Sequence, residues 1–552
     1  MRLTPIQYAL IGLNIAYRLY SAIYMIIADC DETYNYWEPL NLLLRNFGKQ
    51  TWEYSPEFKI RSYSYLIPYY IIGKFFQYFN IEPMSIFYGI RIIALSGMTS
   101  LCELILFKKL LYHSNSIANW WLLFSSIAPG MSHAGVALLP STLAMQTTIL
   151  AMSCIVEMVK KSGSSRQSPL IGAIFWYLVG GLLGWPFSFA LGLPIGVYTL
   201  SMVLTKKIPF GILIKCFGVL LIVIIPIIVI DSIFYQKFPI FIPANIVLYN
   251  VFGGEGEGPE IFGVEPVSYY IFNLILNFHV LVPLSCLGIF FNPFITQLKS
   301  LSLFISSQLV IWCSIFFLQP HKEERFLYPI YPLISLSAAI FLSKINNFIK
   351  KRINIKLIQI GFIISIIALS SLRIFNLVEN YSAPLTTFQI FSESSQVSSY
   401  IEPQNVCMGK EWYHFPTSFF LPDNYRLRYV DCGFDGLLPG DFHESSSSLI
   451  DSTTFIPPHM NNKNQFEVDK IISLEQCDYF VDNSQVRSQP KLINPDLSLV
   501  DEQWKLLTCN KILNPEGNHN LIGKLIYIPK VLRKLIPYKV EYMEFCVLKR
   551  QS

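Results

Sequence analysis

Long apolar stretches recur along the chain as far as about Leu377, separated by short polar or basic segments. Windows long enough, or nearly so, to cross a hydrocarbon core of about 30 Å run Ile6 to Ile27, Met84 to Phe107, Ile117 to Ser132, Ala134 to Val159, Leu170 to Leu183 and Phe187 to Leu204. Others run Ile208 to Ile230, Tyr269 to Phe290, Leu301 to Phe317, Phe326 to Leu342 and Leu357 to Leu377. They predict about eleven transmembrane helices. Tyr63 to Phe79 is also apolar and aromatic but contains Pro68, Gly73 and Lys74, and counting it would make twelve. Basic residues decide between the counts, because cytosolic loops carry the excess of lysine and arginine. With eleven spans and a cytosolic N-terminus, those loops collect Arg2, Lys108, Lys109, Lys160, Lys161, Arg166, Lys206, Lys207, Lys299, Lys344, Lys350, Lys351, Arg352 and Lys356. The short loops of the opposite face hold only Lys237, Lys322 and Arg325. A twelfth span would reverse every later loop. Residues 33 to 80 are therefore expected to form a long non-cytosolic loop with two amphipathic pieces at the membrane interface, where Trp37, Trp52 and the tyrosines are at home.

An odd number of spans leaves the segment from about Val378 to Ser552 on the same face as that loop. The segment is polar, turn-rich and mixed in periodicity, which predicts a small α+β domain. The expected division is thus 1–378, a transmembrane catalytic domain with its catalytic loop at about 28–83, and 379–552, a C-terminal domain. Composition agrees: of 552 residues, 52% are hydrophobic and only 14% charged, against about a quarter charged in a soluble domain. The mean hydropathy is +0.42. The net charge of +5 reports topology and not nucleic-acid binding, since the cations fall between apolar windows. Eleven cysteines show no zinc-ligand spacing. Five of them, Cys407, Cys432, Cys477, Cys509 and Cys546, fall in the C-terminal part, enough for two disulfides and one left over. Asn380-Tyr381-Ser382 is a glycosylation sequon hard against the last span, and Ser445 to Ser448 is the single low-complexity run.

Where charge is scarce its position is informative. Asp29, Asp31 and Glu32 follow the first span directly, with Asn35 and Glu38 after them. Spacing of i, i+4, i+7 would put Asp31, Asn35 and Glu38 on one face of a helix whose N-terminus favours carboxylates. Such a cluster is either an interfacial helix start with Asp29 or Asp31 as N-cap, or a general base for transfer chemistry at the membrane surface. Asp29-Cys30-Asp31 is also formally a DxD, but no glycine-rich nucleotide-binding turn accompanies it. A second constellation, His321-Lys322-Glu323-Glu324-Arg325-Phe326, lies between two windows. It is either a solvated, self-paired turn or a binding loop for an anionic group, for which arginine is suited. Glu57 to Ser62 and Gln50 to Tyr54 interleave aromatics with polar groups, suiting an interfacial belt or sugar stacking. Gly253 to Gly258, with Glu255 and Glu257, reads as a flexible acidic connector or lid. Glu103, Asp231 and Arg91, near window ends, are expected to snorkel. His133 and His279 are expected to be satisfied polar side chains.

The blocks Asp29 to Leu40, Gln50 to Tyr54 and Glu57 to Ser62 resemble the first luminal loop of glycosyltransferase family 22, and Phe262 to Pro266 and His321 to Phe326 resemble its later blocks. Glu411 to Phe415, Phe434 to Gly440 and Met460 to Asn464 are similar to the dolichyl-phosphate-mannose-dependent α-1,2-mannosyltransferases of asparagine-linked glycosylation. The resemblance spans essentially the whole chain. It implies a polytopic α-helical membrane protein of the GT-C fold, with no cofactor or metal, working on the luminal face of the endoplasmic reticulum membrane. The donor would be dolichyl phosphate mannose and the acceptors dolichyl-diphosphate oligosaccharides with six and with eight mannoses. Relatives often carry His-Pro-Asp-Glu where this chain has Asp29-Cys30-Asp31-Glu32, so the family's acidic pair maps onto Asp31 and Glu32, with Asp29 as an added candidate. The resemblance implies His321, Lys322 and Arg325 for the donor phosphate and Arg61, Trp52, Glu324 and Glu38 for substrate. The nearest alternatives are the α-1,6 enzyme of the same pathway and a mannosyltransferase of glycolipid-anchor synthesis. A lipid-linked oligosaccharide transporter would instead gather its polar residues near mid-membrane.

Overall fold

The structure, a computed structural model, describes residues 2–254, 256–295, 298–350, 356–393, 403–444, 448–483 and 503–551. Glu255 of the acidic loop, Lys351 and Arg352 of the basic loops and residues 445–447 of the serine run lie outside the described residues. The chain divides into two compact units. The first comprises Met1–Ile23, Arg91–Asp231 and Pro239–Ser371, and the second Tyr24–Ile90, Ser232–Phe238 and Leu372–Ser552.

Every apolar window is helical. The helices are Pro5–Tyr24, Pro83–Leu111, Asn115–Ile127 with Pro129–Ala134, Pro140–Lys160, Gly163–Gly184, Pro186–Leu204, Gly211–Tyr235, the pair Val267–Phe278 and Leu281–Ile295, Lys299–Phe316, Glu324–Ile349 and Lys356–Tyr381. Among the described residues, eight are long and apolar enough to cross a membrane, or nine if the pair counts as one span. The pair corrects the expectation of one straight helix from Tyr269 to Phe290, because its members meet at 107°. Pro283 has no N–H to return to the His279 carbonyl, and His279 itself takes φ 35°, so the helix cannot run on. Asn115–Ile127 ends for the same reason at Pro129, which orphans the carbonyl of Ser125. That carbonyl accepts a hydrogen bond from Arg18 at 2.8 Å. Ile67–Tyr78, the doubtful twelfth window, is only 12 residues long and is too short to span.

Arg18 also explains a second correction. Glu103 and Arg91 do not snorkel: they are 0% and 1% exposed, and Asp231 is 0% exposed. Arg18 grips Glu103 with two hydrogen bonds of 2.9 and 2.6 Å, and Asn14 donates a third at 2.7 Å. A buried ion pair is tolerable only when its remaining hydrogen-bonding capacity is filled in this way. In the first unit the helix Glu324–Ile349 is the most enclosed, with 89% of its apolar window buried. His279 bonds Ser370 through Nε2 at 2.8 Å, but its Nδ1 is buried without a hydrogen-bond partner among the described residues, so the satisfied side chain expected there is only half realised.

Among its described residues the second unit holds seven strands: β1 (Lys49–Gln50), β2 (Gln404–Met408), β3 (Tyr425–Tyr429), β4 (Gly440–Asp441), β5 (Tyr479–Asn483), β6 (Trp504–Leu513) and β7 (Tyr542–Arg550). Five form a mixed sheet in the order β3-β2-β5-β7-β6, with β2 parallel to β3 and β5 and the rest antiparallel. Cys407, Val430, Cys477, Phe480, Trp504 and Leu548 make its small core. Two disulfides brace it, Cys407–Cys477 and Cys509–Cys546, as the cysteine count allowed; Cys432 takes part in neither. The early loop belongs to this unit physically: β1 pairs antiparallel with β4, and the Gly48 carbonyl accepts from Phe442 at 3.0 Å. Asn380 of the sequon is fully buried and accepts from the Tyr542 hydroxyl at 2.9 Å.

Candidate active site

A single helical run from Cys30 to Arg45 carries the acidic cluster, with a wider i→i+5 turn over Thr33–Trp37. That turn adds about a residue to the register, so the single face expected for Asp31, Asn35 and Glu38 does not form. Asp29 is the N-cap, its side chain accepting from the Asp31 N–H at 2.9 Å. Glu32 is buried and accepts from the Trp37 indole at 2.9 Å. Asp31 remains 34% exposed with the Arg61 guanidinium 3.8 Å away. Three neighbouring carboxylates thus take three different environments. Thr33 and Tyr34 anchor the run by donating to the carbonyls of Phe415, Pro416 and Trp412 at 2.7–3.1 Å.

Glu38 turns inward and serves the architecture. It is 0% exposed and accepts from the Ser418 N–H (2.6 Å), the Ser418 hydroxyl (2.8 Å), the Thr417 hydroxyl (3.0 Å) and the Lys49 N–H (3.0 Å). Burial pushes its carboxyl above the ordinary range, and these bonds only partly oppose it. Trp52, expected as a stacking surface, is 8% exposed and packs edge-on against Phe58 at 5.2 Å. Arg61 is held by Glu53 through bonds of 3.0 and 2.7 Å and donates to the Tyr36 hydroxyl at 2.9 Å. Burial pulls its basicity down, but Glu53, Tyr36 and Asp31 more than offset that. The result is a fixed cation beside Asp31. Asp29, Cys30 and Asp31 offer ligand atoms within 4.8 Å of one another; a thiol between two hard carboxylates is a mixed donor set poorly matched to magnesium or calcium.

In the first unit, the His321 to Arg325 loop is internally bonded. His321 Nδ1 lies 2.7 Å from the Gly263 carbonyl, and Nε2 lies 2.7 Å from Glu323. Both partners are acceptors, so the ring that satisfies both carries two protons. Burial lowers its pKa, but the bond and charge of Glu323 and the Gly263 carbonyl raise it further, to a value above the ordinary one. Gly263 presents that carbonyl at φ 115°, a conformation a side chain would resist. Lys322 is buried and spends its ammonium on backbone carbonyls, Glu265 at 2.8 Å and Gln319. Arg325 pairs with Glu323. Glu324 receives His133, and Asn277 at 2.8 Å.

The model of the Alg9-like mannosyltransferase family matches residues 10–422. The chain belongs to that family. Among its relatives, the α-1,2-mannosyltransferase ALG9 of Saccharomyces cerevisiae is 38% identical over 548 residues, covering 96% of this chain and 95% of the relative. The Homo sapiens α-1,2-mannosyltransferase ALG9 is 34% identical, covering 93% and 84%. The fold matches ArnT from Cupriavidus metallidurans, bound to undecaprenyl phosphate in its crystal structure, with a TM-score of 0.55 at 12% identity over 98% of this chain and 97% of that one. This is the GT-C architecture the resemblance implied.

For this mannosyltransferase the second unit gathers Asp29, Asp31, Glu32 and Arg61 around one helix start, and the first gathers His321, Lys322, Glu324 and Arg325 in one loop. Glu38 and Trp52 sit in the interior of the second unit. Sequence reasoning passed over Glu53 and Tyr36 as the groups that fix Arg61, and over His133 and Asn277 as partners of Glu324. The first pair had a faint signal, an acid eight residues before Arg61. The second had none, since their contacts join residues 47 and 191 positions apart.

Proposed function

We propose that this mannosyltransferase of lipid-linked oligosaccharide assembly forms α-1,2 linkages with inversion, taking mannose from dolichyl phosphate mannose. The acceptors are dolichyl-diphosphate oligosaccharides with six and eight mannoses, and the reaction takes place on the luminal face of the endoplasmic reticulum membrane. The reading draws on ALG9 relatives matched along 95% and 84% of their length. The observation that carries the chemistry is the division of labour in the acidic turn, where Asp29 caps, Glu32 bonds Trp37, and Asp31 stays half-exposed beside a fixed arginine. Asp31 takes the proton of the acceptor 2-hydroxyl while its oxygen attacks the anomeric carbon from the face opposite the phosphate. The bond from that carbon to the phosphate oxygen breaks, and dolichyl phosphate leaves as an anion. Inversion by direct displacement needs one base and no covalent intermediate. A phosphate leaves without a general acid, and His321 and Arg325 supply positive charge for it, with Lys322 holding the loop that carries them.

Purified protein given the donor and synthetic acceptors of six, seven and eight mannoses is expected to extend the first and the last. No transfer to either would overturn the reading. Asp31→Asn is expected to lower kcat by about 10² or more, the size of a general-base contribution, with donor binding retained. Asp29→Asn keeps an N-cap side chain and should stay within a few-fold of the parent; a collapse there with a normal Asp31→Asn would move the base to Asp29.

A further inference from the structure

The Glu324 carboxylate is held by side chains from outside the His321 to Arg325 loop. His133 Nε2, Asn277 Nδ2 (2.8 Å) and the Tyr331 hydroxyl (3.3 Å) all converge on a single oxygen, Oε1. They come from three elements, the short helix Pro129–Ala134, the helix Val267–Phe278 and the start of Tyr331–Ile349. The side chain is nonetheless 30% exposed, and no hydrogen bond to Oε2 occurs among the described residues.

The convergence is built in at the backbone. A Cβ on Gly130 would stand 2.9 Å from Asn277, Phe278 and Tyr331 alike, so only glycine lets the His133 helix close on the other two. The break before that helix is pinned in turn by Arg18, which donates to the carbonyls of Ser125 and Met131 at 2.8 and 3.1 Å. Three donors on one oxygen fix the carboxylate plane, and with it the direction of the second oxygen. A carboxylate only accepts, and its charge repels phosphate. What it can take is a hydroxyl.

We propose that His133, Asn277 and Tyr331 are positioning residues that hold Glu324 so that its Oε2 accepts a hydrogen bond from a sugar hydroxyl of the transferred mannose. The proposal rests on the mannosyltransferase reading above and deepens it at this loop. None of the three touches substrate; each acts through Glu324.

The test is steady-state kinetics with dolichyl phosphate mannose and the six-mannose acceptor varied separately. Glu324→Gln and His133→Leu are each expected to raise KM for the donor or lower kcat/KM for it by about tenfold or more, leaving KM for the acceptor within a few-fold. His133→Gln, which carries an N–H where Nε2 stood, restores most of the loss. The double variant His133→Leu/Glu324→Gln is no slower than Glu324→Gln alone, because partners in one network are not additive. Tyr331→Phe, which removes a single hydroxyl, covers the case in which His133→Leu fails to fold, and moves the same constant in the same direction. The proposal is overturned by a His133→Leu enzyme equal to the parent, by losses that multiply in the double variant, or by no rescue with glutamine. A shift confined to the acceptor's KM would place the hydroxyl on the acceptor and overturn the donor assignment. Failure of the underlying reading looks different: the unmodified protein then transfers nothing.

Discussion

At the scale of single residues, the two constellations separate by what each side chain has left to give. Lys322 is engaged by carbonyls and Glu38 by four donors, so their charges support chain segments. His321 is different, because its contacts depend on its protonation state. The doubly protonated ring joins Gly263 to Glu323, and Glu323 also pairs with Arg325. Its pKa is raised over the ordinary histidine value near 6.5. A folded pKa above the unfolded one gives a contribution fully present below about pH 6.5 and lost as pH rises through the raised value. Turnover and protease resistance of the 319–325 loop are therefore expected to fall together on the alkaline side. The charged groups beside it in the loop are Glu323 and Arg325. In His321→Gln the protease resistance should no longer change over that range; an unchanged alkaline limb would remove His321 from this role.

At the scale of elements, the apolar pattern located every long helix, because a bilayer demands long charge-poor segments whatever their neighbours are. It could not see the breaks. Pro129 and Pro283 lie inside windows that hydropathy treats as continuous, and the bend of 107° after Phe278 follows from one proline and one left-handed histidine. Glu103 and Arg91 were legible as charges but not as buried ones, since the partner of Glu103, Arg18, lies 85 residues away. In the acidic run, the Asp-Glu pair was readable, but a wider turn over Thr33–Trp37 upset the helical face inferred from spacing. Gly48 shows how tightly the same run is packed. A Cβ there would meet the Glu38 carbonyl oxygen at 2.7 Å, and the next residue's N–H bonds the Glu38 carboxylate. Gly48→Ala is expected to cost about 1–3 kcal/mol, the usual range for overpacking, seen as a lower Tm in detergent. A Tm equal to the parent's would mean the loop has room to yield.

At the scale of the whole molecule, the grouping of Tyr24–Ile90 with Leu372–Ser552 bears on sidedness. The eleven-span reading leaves ten spans between them, an even number that returns both segments to one face, and the basic residues of the intervening loops are the reason to expect that face to be the non-cytosolic one. Disulfides in β2, β6 and β7 suit an oxidising compartment. The native sequon is a poor reporter, because Asn380 is enclosed in a helix and bonded to Tyr542. It is expected to stay unmodified. Leu506 is a better site: it lies in the edge strand β6, is 41% exposed, and is followed by Leu507 and Thr508, so Leu506→Asn alone creates an acceptor sequon. Expressed in a eukaryotic cell, that variant is expected to gain one glycan removable by endoglycosidase H, while the parent shows none. Since the sheet is exposed at that strand, a variant that folds and is active but gains no glycan would put the C-terminal segment in the cytosol. The acidic turn, an even number of span reversals away, would have to move with it.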